Sequence, residues 1–158
     1  MENPAETRWL TPREQQIWRS YMAASLALQA RIDRQLKAES GMPVAYYEIL
    51  VMLSESPGRS LRMTRLAELC NSSRSRLSHA VAALEKLGYV SRCGIAGGDR
   101  RAAVAQLTDA GYDALVRAAP GHVNEVRECL FDALSPEQLD ALHDISETLR
   151  TALDQQRR

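Results

Sequence analysis

Along most of this chain hydrophobic residues recur at the three- and four-residue spacing of amphipathic helices, and one central stretch breaks that rhythm. Trp18, Tyr21, Met22, Leu28, Ile32 and Leu36 fall along one side of a first helix. Thr11-Pro12-Arg13-Glu14 opens it with a capping box and a proline at the first helical position, and Gly41 and Pro43 stop it near Ser40. A second helix is predicted from Val44 to about Ser54, ended by Ser56-Pro57-Gly58. A short helix over 63–70 and a longer one over 74–87, closed by Gly88, flank the polar turn Asn71-Ser72-Ser73. The period then changes. Residues 89–93 read as a strand, 94–101 as a loop containing Gly94, Gly97 and Gly98, and 102–107 as a returning strand. In that strand Ala103, Ala105 and Leu107 alternate inward while Val104 and Gln106 face out. Leu61-Arg62 reads as a short strand that pairs with this hairpin.

Helical spacing resumes after Thr108, which stands at a cap position. Tyr112, Leu115, Ala119, Val123, Val126 and Leu130 have near-heptad spacing, interrupted by Pro120-Gly121. A proline inside a helix costs ~3 kcal/mol, so a kink or break is predicted there. Ser135-Pro136-Glu137-Gln138 is a second capping signature, opening a last helix with Leu139, Leu142, Ile145 or Ser146, Leu149 and Leu153 on one stripe. The terminal helices carry more apolar surface than a small central unit can cover. An intramolecular core is one reading of these stripes and a dimer interface is the other.

Helix, tight turn, helix and hairpin, in that order, form a winged helix-turn-helix, whose second helix enters the major groove of DNA. On that helix Leu77, Ala80, Val81, Leu84 and Leu87 make the apolar face. The opposite face carries Ser75, His79, Ala82 and Lys86, with Arg76 and Ser78 at its edges. Arginine forks onto guanine O6 and N7, and serine and histidine exchange hydrogen bonds with base edges. Ser72 or Ser73 is placed to cap the helix, leaving amides directed at a phosphate. A merely solvated helix face would look similar, and the hairpin is what favours DNA. Its loop ends in Asp99-Arg100-Arg101, where a carboxylate close to a guanidinium fixes its direction for a narrow minor groove. The candidate DNA contacts are therefore Ser73, Arg74, Ser75, Arg76, Ser78, His79, Lys86, Asp99, Arg100 and Arg101. Arg74 and Arg76 stand about 200° apart around the helix, so a phosphate is assigned to the first and a base to the second.

Composition sharpens this picture. The chain has 158 residues, 45% of them hydrophobic, which suits one globular domain. No apolar run reaches the length of a membrane span, and the first residues lack the pattern of a signal peptide, so a cytoplasmic location is expected. Net charge is zero, yet residues 59–101 hold nine Lys or Arg against three acids, a balance of +6, and the remainder is correspondingly acidic. Cys70, Cys93 and Cys129 have no metal-ligand spacing, and the histidines are far apart at 79, 122 and 143. With no phosphate loop, metal triad or nucleophile elbow, the sequence offers neither an enzyme nor a cofactor site.

The run Leu84-Glu85-Lys86-Leu87-Gly88-Tyr89-Val90-Ser91-Arg92, then Asp99-x-Arg101 and Leu107-Thr108-x-x-Gly111, resembles the signature of the MarR family of bacterial transcription regulators. The helices before and after it match that family's layout over nearly the whole chain. The resemblance implies a mainly α fold with a small β wing, a winged helix-turn-helix joined to a helical dimerisation region. Residues 1–158 would be a single domain, with 44–108 as the DNA-binding lobe and 11–40 and 109–158 as the dimerisation region. It further implies an obligate homodimer on a pseudo-palindromic operator, usually a repressor released by a small molecule or by oxidation. Family members often bind aromatic or phenolic compounds between reader and dimer arms. Trp18, Tyr21, Met22, Tyr46, Tyr47, Met52 and His122 are the candidates to line such a cleft, though each is also an ordinary core residue type. Some relatives sense peroxides through a cysteine in the first helix; this chain has none before residue 70, so a redox alternative rests on Cys93. The other alternative is a winged-helix module that binds protein and not DNA, which would require an apolar or acidic outer face on residues 74–87.

Overall fold

The computed structural model describes residues 7–93 and 103–155. Helix α1 (Pro12–Ser40) begins at its capping box: the Glu14 amide donates to Thr11 Oγ1 at 3.2 Å, and the Thr11 amide donates to the Glu14 carboxylate at 2.7 Å. Hydrogen bonds to the carboxylate from the Thr11 amide and hydroxyl hold the Glu14 carboxyl below its ordinary pKa. Gly41 ends the helix in the left-handed conformation. Helix α2 (Val44–Ser54) is tied back to α1 by its first amide, which donates to Asp33 Oδ1 at 3.0 Å. A 3-10 turn at Pro57–Arg59 leads into strand β1 (Ser60–Arg62), then α3 (Met63–Leu69) and α4 (Arg74–Lys86). Strands β2 (Val90–Cys93) and β3 (Val104–Leu107) follow, then α5 (Asp109–Val126) and α6 (Pro136–Gln155). The architecture is mainly α with a small β wing.

The sheet is antiparallel in the order β1-β3-β2. Leu61 faces Ala105 across one ladder, and Val90 faces Leu107 across the other. Ala105 and Leu107 are buried and Gln106 is exposed, as the alternation requires. The core lies beneath this wing. Ile49, Leu50 and Leu53 of α2, Leu66 of α3, and Leu77, Val81 and Leu84 of α4 are almost wholly excluded from solvent, and Leu36 brings the end of α1 into the same cluster. Leu87 departs from the predicted apolar face. It is 55% exposed, because the helix ends there and Gly88, at φ 73°, turns the chain away.

Helix α5 covers the core with Gly111, Ala114, Leu115 and Ala118. This stripe is rotated from the predicted one, leaving Tyr112, Val116 and Val123 exposed. The helix also runs unbroken through Pro120. Pro120 and Val116 both lie on the exposed side, where the carbonyl deprived of its donor costs less than it would in the core. After Val126 the chain loosens into a π-helical segment, Arg127–Phe131, in which the Asp132 amide donates to the Arg127 carbonyl at 2.8 Å. Arg31 of α1 pairs with Glu125 and, at 3.2 Å, with Glu128, binding α1 to this junction. Ser135 and Gln138 cap α6 reciprocally, the Gln138 amide donating to Ser135 Oγ at 3.3 Å and the Ser135 amide to Gln138 Oε1 at 2.9 Å. Helix α6 buries none of its residues within the chain, and Leu142, Ile145, Leu149 and Leu153 are exposed along it. Ile17, Trp18, Tyr21 and Leu26 of α1 are exposed as well. No described helix is long and apolar enough to cross a membrane.

Candidate nucleic-acid interface

Helix α4 is set by its cap and by its buried stripe. Ser73, extended at φ −65° and ψ 149°, accepts the Arg76 amide on its Oγ at 3.3 Å. The turn before it closes through Asn71 at φ 45°, a conformation asparagine adopts more readily than most residues, with the Ser72 amide donating to the Ala67 carbonyl at 2.9 Å. With Leu77, Val81 and Leu84 anchored in the core, Ser73, Arg74, Ser75, Arg76, Ser78, His79 and Lys86 all lie exposed. The helix thus presents a polar, cationic surface whose first turn has its amides directed outward.

Arg74 stands where two surface hollows meet. One, of about 580 Å3, runs between α3, α4 and the wing and is lined by Met63, Thr64, Arg74, Leu77, Ser78, Arg92 and Ala103. The other, also about 580 Å3, lies over the turn and is lined by Thr64, Ala67, Glu68, Asn71, Ser72, Ser73 and Arg74. The first brings two guanidinium groups and two hydroxyls, of Thr64 and Ser78, to one groove. Arg92 and Thr64 are additions that the sequence reading missed. Arg92 is held by Glu85 of α4, its Nε donating to Glu85 Oε2 at 2.6 Å, so the end of the helix and β2 are joined by a charged clasp. The run from 84 to 92 contained both residues, but only the turn at Gly88 makes them neighbours. Asp99, Arg100 and Arg101 lie outside the described residues.

The residues considered for an effector separate into two groups. Tyr47, Met52 and His122 meet in a cleft of about 650 Å3, together with Gln29, Ile32, Val44, Glu48, Val51, Cys70 and Asn71. The Tyr47 and His122 rings approach to 4.5 Å between centroids. Burial lowers the pKa of His122 and raises that of Tyr47. Burial, with a smaller contribution from Glu48, pushes the Cys70 thiol up to about 11, so it is not a reactive thiolate. Trp18, Tyr21 and Met22 do not line this cleft. They sit farther along α1, where Trp18 and Tyr21 contact each other at 6.5 Å and are exposed. Tyr46 is partly buried against the core. Cys93 is exposed at the end of β2.

Comparison with known proteins follows the same outline. The sequence profile of the MarR family matches residues 40–102. Sco3205, a MarR family transcriptional regulator from Streptomyces coelicolor whose crystal structure is in complex with DNA, is 51% identical, with a TM-score of 0.87 over 94% of this chain and 92% of that one. AbsC, a MarR family transcriptional regulator from the same organism, is 40% identical, with a TM-score of 0.79 over 92% of this chain and 99% of that one. The transcriptional regulator BldR from Sulfolobus solfataricus shares the fold at 23% identity, with a TM-score of 0.71 over 90% of this chain and 99% of that one. Comparison with curated proteins finds no match.

Proposed function

The chain belongs to the MarR family of transcriptional regulators, and from that premise we propose that it is a sequence-specific DNA-binding repressor, a homodimer on a pseudo-palindromic operator, released by a small aromatic effector. The observation that carries the proposal is the exposed face of α4, where Arg74, Ser75, Arg76, Ser78 and His79 project from a capped helix N-terminus beside a groove holding Arg92. An outer surface of this chemistry suits phosphates and base edges and is neither the apolar nor the acidic face that the protein-binding alternative requires. Asp99, Arg100 and Arg101 join the interface on the sequence argument.

Binding to duplex DNA selected from random sequence tests the reading. The consensus should be an inverted repeat with half-sites about one helical turn apart, roughly 10 bp centre to centre. Affinity should fall steeply with salt, by about 0.9 units of log–log slope for each phosphate engaged. A consensus without two-fold symmetry, or binding indifferent to salt, would remove the operator model.

Dimerisation belongs on this proposal to residues 11–40 and 109–158. Support comes from the uncovered apolar residues of α1, α5 and α6, which no described part of the chain screens. Light scattering at micromolar concentration should give about twice the chain mass of 17.6 kDa. Leu149→Glu, on the bare stripe of α6, should shift the protein toward monomer and weaken operator binding with it. A Leu149→Glu protein that stays dimeric would remove α6 from the interface.

A further inference from the structure

Among the described residues lining the 650 Å3 cleft, Glu48 is the one with a formal charge, and no lysine or arginine lines it. The cations nearest in sequence on α1 are committed or turned elsewhere. Arg31 pairs with Glu125 and Glu128, and Lys37 pairs with Asp33 at 2.6 Å. Arg34 is two residues from Ile32, about 200° round the helix from that lining residue. Partial desolvation raises the pKa of Glu48, which keeps an exposed surface. Burial likewise lowers the pKa of His122, whose Nδ1 is buried with no hydrogen-bond partner among the described residues.

One anionic acceptor, Glu48, therefore stands in a cleft that is also lined by the rings of Tyr47 and His122 and the thioether of Met52. A carboxylate or phenolate entering it would meet Glu48 with no counter-charge, and a desolvated unpaired anion is costly. An ammonium group would donate to the Glu48 carboxylate and lie against an aromatic face. We propose that this cleft binds a cationic aromatic amine and selects against aromatic acids of the same shape. The proposal rests on the effector-responsive reading and specifies the ligand class for it. His122 belongs to α5 and Tyr47 to α2, so a ligand between them touches both the reader and the helix that leads to α6.

The test is calorimetric titration of the full-length protein with two shape-matched pairs, tyramine against 4-hydroxyphenylacetate and tryptamine against indole-3-acetate. Each amine should bind at least ~3-fold tighter than its acid partner, the scale on which a screened attraction is exchanged for a repulsion. Glu48→Gln should abolish that preference, and Glu48→Lys should reverse it. Unfolding curves of both variants should match the parent, since Glu48 keeps a solvent-exposed edge. Acids that bind as tightly as the amines, a preference that survives Glu48→Gln, or no binding by any of the four at millimolar concentration would overturn the proposal. Operator release is measured separately. An amine that binds with the expected preference but leaves the protein on DNA defeats the effector reading and leaves the chemistry of the cleft standing.

Discussion

Gly111→Ala is expected to lower stability by about 3 kcal/mol and the melting temperature by roughly 10 °C, at the upper end of what overpacking does to a domain of this size. The reason is space. A Cβ at Gly111 would lie 2.1 Å from the Tyr89 carbonyl oxygen, 2.8 Å from the Tyr89 carbonyl carbon and 2.8 Å from Leu107 Cδ1. Two of these are backbone atoms held on both sides. The Thr108 amide donates to that same Tyr89 oxygen at 3.1 Å, the Thr108 hydroxyl donates to the Gly88 carbonyl at 2.7 Å, and the Gly111 amide donates to the hydroxyl at 3.0 Å. The start of α5 is thus sewn to the turn that closes α4, and no rotamer change relieves the contact. Gly121 is the control. A Cβ there would meet Glu39 Oε2 at 2.1 Å and Gln35 Nε2 at 2.8 Å, both ends of flexible side chains. Those side chains can swing aside, and alanine gains about 1 kcal/mol over glycine in a helix, so Gly121→Ala should be near neutral or stabilising. Urea unfolding of the two variants decides the matter, and equal losses would sink the steric account.

The same contact shows what the sequence could disclose. Leu107-Thr108-x-x-Gly111 was legible as a motif, and the helix caps at Thr11, Ser73, Thr108 and Ser135 were legible as chemistry, because a cap is a hydrogen bond within a few residues of itself. The buried face of α5 was not. Hydrophobic spacing selected Tyr112, Leu115, Ala119 and Val123, of which Leu115 is buried, whereas the helix packs through Gly111, Ala114, Leu115 and Ala118. Small residues admit the close approach, and they weigh little in any count of hydrophobicity. The larger apolar residues were left for the outside, where a partner would cover them. Arg92 and the Glu48 side of the cleft were hidden for another reason. Each depends on where a turn carries a neighbouring element, the first through its clasp with Glu85, the second through α1, α2, α5 and the turn after α3 meeting around one space.

Reading and attraction should separate at the start of α4. Arg76 is exposed on the first turn, and its amide is already used by the Ser73 cap, so its side chain is what remains to meet a base. Arg74 instead lines the two hollows on either side of the helix start, in company with Thr64, Ser73, Ser78 and Arg92, a setting suited to a backbone phosphate. Losing a bidentate base contact should cost ~1–3 kcal/mol on the operator and relax preference at one position of the site. Losing a phosphate contact should weaken binding to all sequences alike and flatten the salt dependence by about one unit of slope. Arg76→Ala should therefore reduce the ratio of operator to random-DNA affinity by roughly 10- to 100-fold. Arg74→Ala should lower both affinities and leave their ratio nearly unchanged. The measurement is a pair of fluorescence-anisotropy titrations for each variant, on the selected operator and on scrambled duplex, repeated at several salt concentrations. If the ratio stays constant in Arg76→Ala, that arginine is another phosphate contact. Discrimination would then fall to Ser75, Ser78, His79 or the deformability of the DNA itself.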